Sequence, residues 1–559
     1  MDKRKLAIEV LENLGGSSNV KTCQLYATGI IVEVNDLKKV NEGKLQENEE
    51  IIEVEIKDRI YLVTGTEAAD VYDAFIKEAG INNESEIYNR AKIWQIGLFS
   101  LNNTATNFYM FLTGFITYYC VGVAGLLTAV VGIILTGMRI FDGITDPIIG
   151  FLIDKTDGKF GKFRPFMVLG NVIMILATFV MLQTTHLVPE GLRYLYFIFI
   201  YGIYIVGYTF QTACTKAGQA CLTNDPKQRP IFSMFDGVFV TVMFMGLQII
   251  VSNVLIPMTG GFNQQFFNLA WVMTVLCSAV LTLLAIIGIW KKDRTEFFGT
   301  GIAQKIKFKE YWDVIKNNRA IQMLVVSAST DKLAMTIGQN AILTTILYGI
   351  LVGNYALSGQ ISLITLLPTL FLGLWGMNFS RKTGMKKAIV VASWLGIIVT
   401  AGMALFVYVV DMGAVSLSSL NMITIIFILF LIVRGAVNNV SGNIVIPMIA
   451  DCADYETYRT GRYVPGMMGT LFSFVDKIIS SFATTVITLS LAFIGYANTL
   501  PQIGDPVTNT IKTFYVVMAF GVPILGLVCN VIAMKFYPLS REKMIEVQTK
   551  IREIKEQNI

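Results

Sequence analysis

The chain reads as an all-α membrane protein of twelve transmembrane helices in two six-helix halves, preceded by a small α/β domain. Three observations predict this. Of 559 residues 54% are hydrophobic and only 15% charged, with a mean hydropathy of +0.58, proportions that no ordinary soluble globular chain has. After residue 92 there are about twelve apolar stretches of about 20 residues or more, each long enough to cross a bilayer core. Residues 1–92 are instead polar and charged, with the short alternating runs of a soluble unit and no cleavable signal peptide.

In chain order, the N-terminal unit predicts an amphipathic helix over 3–14, a Gly15-Gly16 break, strands at about 24–34, 50–56 and 59–63, and a last helix at about 68–79. The spans follow near 96–120, 122–152, 165–184, 192–220, 231–257, 268–290, 321–351, 356–378, 388–410, 418–448, 467–495 and 512–536. The expected domains are 1–85 (α/β), 86–290 (first six-helix half), 291–320 (central loop), 321–538 (second half) and 539–559 (tail).

Bases in the connections set the orientation. Lys155, Lys159, Lys162 and Arg164 follow the second span and Lys227 and Arg229 the fourth. The sixth is followed by Lys291, Lys292, Arg294, Lys305, Lys307 and Lys309, and the eighth by Arg381, Lys382, Lys386 and Lys387. The opposite loops carry almost none, so both termini are expected in the cytoplasm, with the protein multi-pass in the cell's inner membrane. The net charge of +5 is then a topology signal, and nucleic acid is not an expected partner. Seven cysteines, mostly inside spans and without metal-ligand spacing, read as reduced packing residues.

The most informative chemistry lies in the second span, Arg139-Ile-Phe-Asp142-Gly-Ile-Thr-Asp146-Pro147. Asp142 and Asp146 stand one turn apart on one helix face, about 6 Å apart along the axis. A carboxylate in an apolar run is expensive, and a shared cation or proton relieves that cost. The alternative is salt bridging to Arg139, Arg434 or Lys477 without ion binding.

Two connections look alike: residues 150–165 after the second span, with Asp154, Asp157, Gly161 and Arg164, and residues 376–387 after the eighth, with Arg381, Lys382, Gly384 and Lys386. Six spans, a basic loop and six more spans with a matching signature imply two related halves. That pattern resembles the major facilitator superfamily. The wording around Asp142 and Asp146, together with Phe160-Gly-Lys-Phe-Arg-Pro165, Thr223-Asn-Asp-Pro-Lys-Gln-Arg229, Glu310-Tyr-Trp312, Asn317-Asn318-Arg319, Asp331-Lys332, Asp451-Cys-Ala-Asp454-Tyr-Glu456 and Thr460-Gly-Arg462, resembles the glycoside-pentoside-hexuronide:cation symporters over about residues 88–545. The resemblance implies that Asp142, Asp146 and Thr209 bind the coupling cation and that Lys477, with Arg139, couples the site to helix movement. The transported cation would be Na⁺, Li⁺ or H⁺, and no cofactor is expected. The only histidine, His186, falls in a loop, so proton coupling would have to use carboxylates.

The sugar site departs from the melibiose-transporting members. Asn102 and Asn103 stand where those carry an aspartate in helix one, Thr212 and Lys216 occupy the helix-four positions, and Gly237 the helix-five arginine. With Gln339, these make the expected substrate lining rich in donors. Lys216 points to an anionic glycoside or uronate, unless it snorkels to the membrane surface. Trp94 and Trp375 are candidate stacking platforms or interface anchors.

Residues 1–80 resemble the IIB domain of glucose-type phosphotransferase systems through Leu14-Gly15-Gly16, Val32-Glu-Val-Asn-Asp-Leu-Lys-Lys-Val40 and Ile60-Tyr-Leu-Val-Thr-Gly65-Thr66. The family's phosphoacceptor cysteine falls on Tyr26, and Gly29 and Ile31 replace its two arginines, with Cys23 three residues upstream. The domain is therefore expected to be degenerate, and a phosphotransferase-system regulatory protein is its implied partner. The expected function is cation-coupled symport of a sugar, glycoside or uronide, with membrane lipid as surroundings and no enzymatic step. The alternatives are a phosphotransferase-type permease and a transporter-derived sugar sensor.

Overall fold

The computed structural model describes residues 3–557 apart from 27–28, 47, 49–50, 52, 57–59, 64–67, 81–89, 157, 159, 224–227, 295–315 and 461–464. Thr28, Gly65, Thr66, Asp157, Lys159, Lys227, Lys305, Lys307, Lys309, Glu310, Trp312, Arg462 and most of the expected central loop fall outside the described residues. The chain divides into two compact units, one of residues 1–92 with 222–231, the other of 93–221 with 232–559.

The first unit is built on α1 (Lys3–Asn13), β1 (Val20–Tyr26), β2 (Gly29–Val34), α2 (Glu42–Gln46), β3 (Glu53–Ile56), β4 (Ile60–Val63) and α3 (Ala68–Ala79). α1 buries Leu6, Ala7 and Val10, and ends where Gly15 and Gly16 take positive φ (91° and 83°) and Gly16 N–H donates to the Leu11 carbonyl at 2.9 Å. The sheet is antiparallel in the order β1-β2-β4-β3. The single strand expected over 24–34 is instead a hairpin, with Tyr26 paired to Gly29. Its register slips between Val20 and Thr22, a bulge that lets Val20 and Cys23 both face the core. Gln228 and Ala91 also lie in this unit, joined by two bonds: Ala91 N–H to Gln228 Oε1 at 3.0 Å and Gln228 Nε2 to the Ala91 carbonyl at 2.8 Å.

The helices of the larger assembly are α4 (Ile93–Thr113), α5 (Thr128–Lys155), α6 (Arg164–Thr184), α7 (Glu190–Leu222), α8 (Arg229–Ile250), α9 (Gln264–Ile289), α10 (Arg319–Gly338), α11 (Leu357–Thr383), α12 (Met385–Val409), α13 (Met422–Thr460), α14 (Pro465–Phe493), α15 (Asn509–Phe536) and α16 (Arg541–Gln557). Among the described residues, ten helices are long and apolar enough to cross a membrane, and α10 with the bent piece Ala341–Leu351 makes an eleventh. α4 does not meet that measure, because Gln95, Ser100, Asn102, Asn103, Thr104, Thr106 and Asn107 dilute its apolar face. The run expected over 321–351 bends by 46° after Gly338, where Asn340 leaves helical geometry and caps the next piece by accepting from Ile342 N–H at 3.0 Å.

The two halves of the helical unit are joined mainly at the end where α5 begins and α14 finishes. Thr136 donates to the Ser481 carbonyl at 2.8 Å, Thr485 to the Gly132 carbonyl at 2.8 Å, and Thr128 N–H to the Ala497 carbonyl at 3.0 Å. Beside them, Tyr118 donates to the Pro501 carbonyl at 3.1 Å and Gln248 to Ser358 at 3.0 Å. One hydrophobic cluster, including Tyr118, Phe262, Ile346, Tyr355 and Phe514, fuses both halves there. At the opposite end, where α5 meets α6 and α11 meets α12, the described hydrogen bonds stay within each half. Asp293 accepts from Lys162, Phe163 and Arg164 N–H groups at 2.8–3.2 Å, and Arg541 donates to the Lys382 carbonyl at 2.9 Å. Among the described residues, the bundle is therefore closed at one end and bonded only within its halves at the other.

Candidate functional site

Halfway along α5 the apolar run is interrupted by Asp142, Thr145 and Asp146, which helical spacing of three and four places on one face. That face meets α14, which packs alongside α5. From α14, Lys477 donates to Asp146 Oδ2 at 2.6 Å and to Asp142 Oδ2 at 3.2 Å. The Asp142 side chain is 4% exposed, whereas Asp146 and Lys477 are each 34% exposed, so the triad is closed on one side and open on the other. From α7, Thr209 donates to Asp142 Oδ1 at 3.2 Å and lies 3.2 Å from the Thr145 hydroxyl, which itself reaches the Asp142 carbonyl at 3.0 Å. Both threonines are buried.

The structure thus brings together Asp142, Asp146, Thr209 and Lys477, and adds Thr145, which sequence reasoning missed. Its signal was present, since it stands on the same face as the two aspartates. Two carboxylates against one ammonium leave a net negative charge among hard oxygen donors. Such a group suits a small monovalent cation or a proton and not a soft metal. Lys477 occupies the space between the carboxylates as a tethered cation.

Arg139 sits one turn before Asp142, exposed, in the electrostatic field of Tyr201, Tyr204, Tyr208 and Asp142. The three tyrosines form a ladder along α7, with ring centres 5.3 and 6.2 Å apart.

The expected substrate residues separate. Asn102 is fully buried and spends its amide on α7, donating to the Gln211 carbonyl at 3.1 Å and Thr215 Oγ1 at 2.7 Å. Asn103 turns the other way and donates to Asp236 Oδ1 at 2.7 Å, a carboxylate of α8 that the sequence reading passed over. Thr212 is half-buried and bonds back to the Thr209 carbonyl at 3.2 Å, while Lys216 one turn on is exposed. Gln339 is exposed at the end of α10, and no described bond links it to the carboxylate pair. Trp94 and Trp375 are 49% and 67% exposed. Tyr26 ends β1 at the hairpin of the N-terminal unit, and Cys23 is buried at 0% exposure, which pushes its thiol from the ordinary 9.0 up to about 12.

Several known transporters resemble the chain over most of its length. The chain is 23% identical over 426 residues to the putative glycoside/cation symporter YagG of Escherichia coli (strain K12), covering 75% of this chain and 87% of that one. It is 22% identical over 471 residues to a glucuronide carrier protein homolog from the same organism (81% and 94% covered). A similar match, 22% identical over 451 residues, is to the isoprimeverose transporter of Lactiplantibacillus pentosus (79% and 88%). Among solved structures, the nucleoside transporter NupG superposes with a TM-score of 0.54 at 12% identity, covering 80% of this chain and 100% of that one, which shows a shared fold. Residues 100–541 match the family model described as MFS/sugar transport protein. The chain belongs to that family, and is a multi-pass secondary sugar transporter and not an enzyme.

Proposed function

We propose that the protein is a cation-coupled symporter that carries a sugar, glycoside or uronide across the cytoplasmic membrane by alternating access. The observation that carries this reading is the grouping of Asp142, Asp146 and Thr209 around the Lys477 ammonium. A monovalent cation entering from the open side neutralises the carboxylates and frees Lys477. Because Lys477 belongs to the other half, its release changes a bond between halves, which is how occupancy is linked to rearrangement. Arg139, on the same helix, supports the charge of Asp142. The names of glycoside/cation relatives support coupling and substrate class.

The reading counts α4 as the remaining span, giving twelve with both termini cytoplasmic. A helix whose polar face is covered by α7, α8 and α9 need not be apolar all round. The closed end of the bundle would then face outward. We place the domain boundaries at residues 85, 290, 320 and 538. We also read the N-terminal unit as a degenerate, non-phosphorylated IIB-like domain. Tyr26 stands at the hairpin end in place of a thiol, and Cys23 is buried with a proton firmly held.

The test is gradient-driven uptake of radiolabelled glycosides by proteoliposomes, with Na⁺ and H⁺ gradients imposed separately. Asp142→Asn and Asp146→Asn should each abolish accumulation. Accumulation that persists unchanged in both variants sinks the cation-site assignment.

A further inference from the structure

We infer that Asp236, clasped by Asn103, is a sugar-binding carboxylate, and that it selects a neutral, hydroxyl-rich glycoside over a uronate. The inference rests on the transporter reading and names the substrate class of its sugar site.

Asp236 lies within the membrane-spanning part of α8, seven residues from its start. It is half-buried, and among the described residues it has no cationic partner. Four other acids of the core helices do have one. Asp142 and Asp146 share Lys477, and Asp331 and Asp476 lie in the field of Lys332. An unpaired carboxylate at this depth cannot face hydrocarbon, so it faces the polar interior of the bundle. Asn103 gives it one charge-assisted bond at 2.7 Å and is itself steadied by Asn107, whose amide donates to the Asn103 carbonyl at 2.9 Å. One bond leaves most of the carboxylate's acceptor capacity unused.

Space lies beside it. An added side-chain carbon at the neighbouring Gly237 would meet nothing within 4 Å, and Phe235 and Phe239 flank the site with ring centres 5.6 Å apart. Vicinal sugar hydroxyls are donors at the spacing of two carboxylate lone pairs, and the apolar face of a pyranose suits the rings. A uronate would bring a second carboxylate against one that no base offsets, and would be repelled. Lys216 does not answer this, being exposed toward the end of α7 with no bond to Asp236.

The test uses the full-length purified protein and its thermal midpoint, with p-nitrophenyl β-D-glucoside, β-D-galactoside, β-D-xyloside and β-D-glucuronide as probes, each with and without NaCl. At least one neutral glycoside should stabilise the native chain, and more strongly than the glucuronide. Asp236→Asn, which keeps shape and the clasp, should weaken that binding about ten- to a hundredfold, while Asp236→Glu retains part of it. The Na⁺-induced shift should be the same in native protein and Asp236→Asn, showing an intact fold and cation site. Binding within twofold of native in Asp236→Asn, preference for the glucuronide, or no response to any neutral glycoside overturns the inference. A native protein that binds neutral glycosides through Asp236 but does not respond to Na⁺ supports it, and counts against the coupling reading alone.

Discussion

A fully buried carboxylate persists only where its charge is met, and Asp293 is met by three backbone N–H groups at the start of α6 and by Arg164 Nε at 3.2 Å. The arrangement requires Gly161, whose φ is 88° and whose absent side chain leaves room for the Asp293 carboxylate. Asp293→Ala should therefore cost about 3 kcal/mol or more. Gly161→Ala should cost a comparable amount by pushing Asp293 out. The double variant should be little worse than either single one, since both remove the same interaction, and thermal unfolding in detergent measures all three. At the proposed cation site, Thr145→Ala should weaken Na⁺ binding about tenfold, the scale of one lost bond in a charged site, while Thr145→Ser leaves it near native. Equal affinities for the two variants would remove Thr145 from the site. The aspartate pair was legible in sequence because two charges one turn apart in an apolar run require partners, whether a cation or a base. Asp293 was not, because it sits beside a basic connection where an acid looks ordinary until its partners are seen, and Asp236 was not, because it stands alone in its span with no second acid one turn away.

At the scale of elements, continuous apolar runs were enough to locate the long helices, since nothing but a helix satisfies that much backbone in lipid. Their interruptions were harder to read. The bend after Gly338 depends on Asn340 acting as a cap, and the hairpin in the N-terminal sheet pairs Tyr26 with Gly29 inside one alternating run; both are local choices that leave hydrophobicity unchanged. The crossing of α5 and α14 was likewise invisible, although a glycine marks it. A side chain at Gly132 would strike Thr488 Oγ1 and come within 3.1 Å of the Thr485 Cα. Gly132→Val should therefore disfavour the closed end specifically, because the clash exists only while the halves touch there. Spin labels at Leu127 and Phe493, which are 45% and 92% exposed, should report a longer distance in that variant. An unchanged distance distribution would show that this crossing does not hold the end shut. In the N-terminal unit, the raised Cys23 pKa favours the protonated thiol in the folded state. Its contribution to stability is complete below the unfolded value of about 9.0 and declines as pH rises toward about 12. Unfolding of the isolated transition in this unit should show that loss in native protein and not in Cys23→Ala.

For the whole molecule, Lys477 matters most, because it belongs to one half and its two carboxylate partners to the other. It both occupies the proposed cation site and ties the halves in the middle of the bundle, so a cation must displace it to bind. Removing it separates these two effects. In Lys477→Gln the site loses its competitor, and at mildly alkaline pH, where protons compete little, Na⁺ affinity should rise about tenfold. The same change removes the bond whose breakage reports occupancy to the other half, so Na⁺ should no longer improve glycoside affinity and gradient-driven accumulation should fall to background. Tighter cation binding with lost accumulation is a combination that a purely structural lysine cannot produce, since losing a structural ion pair would weaken both. Calorimetric titration of Na⁺ beside uptake in proteoliposomes measures the two quantities on one preparation. If Na⁺ affinity falls together with transport, Lys477 is a scaffold for the carboxylates, and the link between occupancy and the movement of the halves must lie elsewhere.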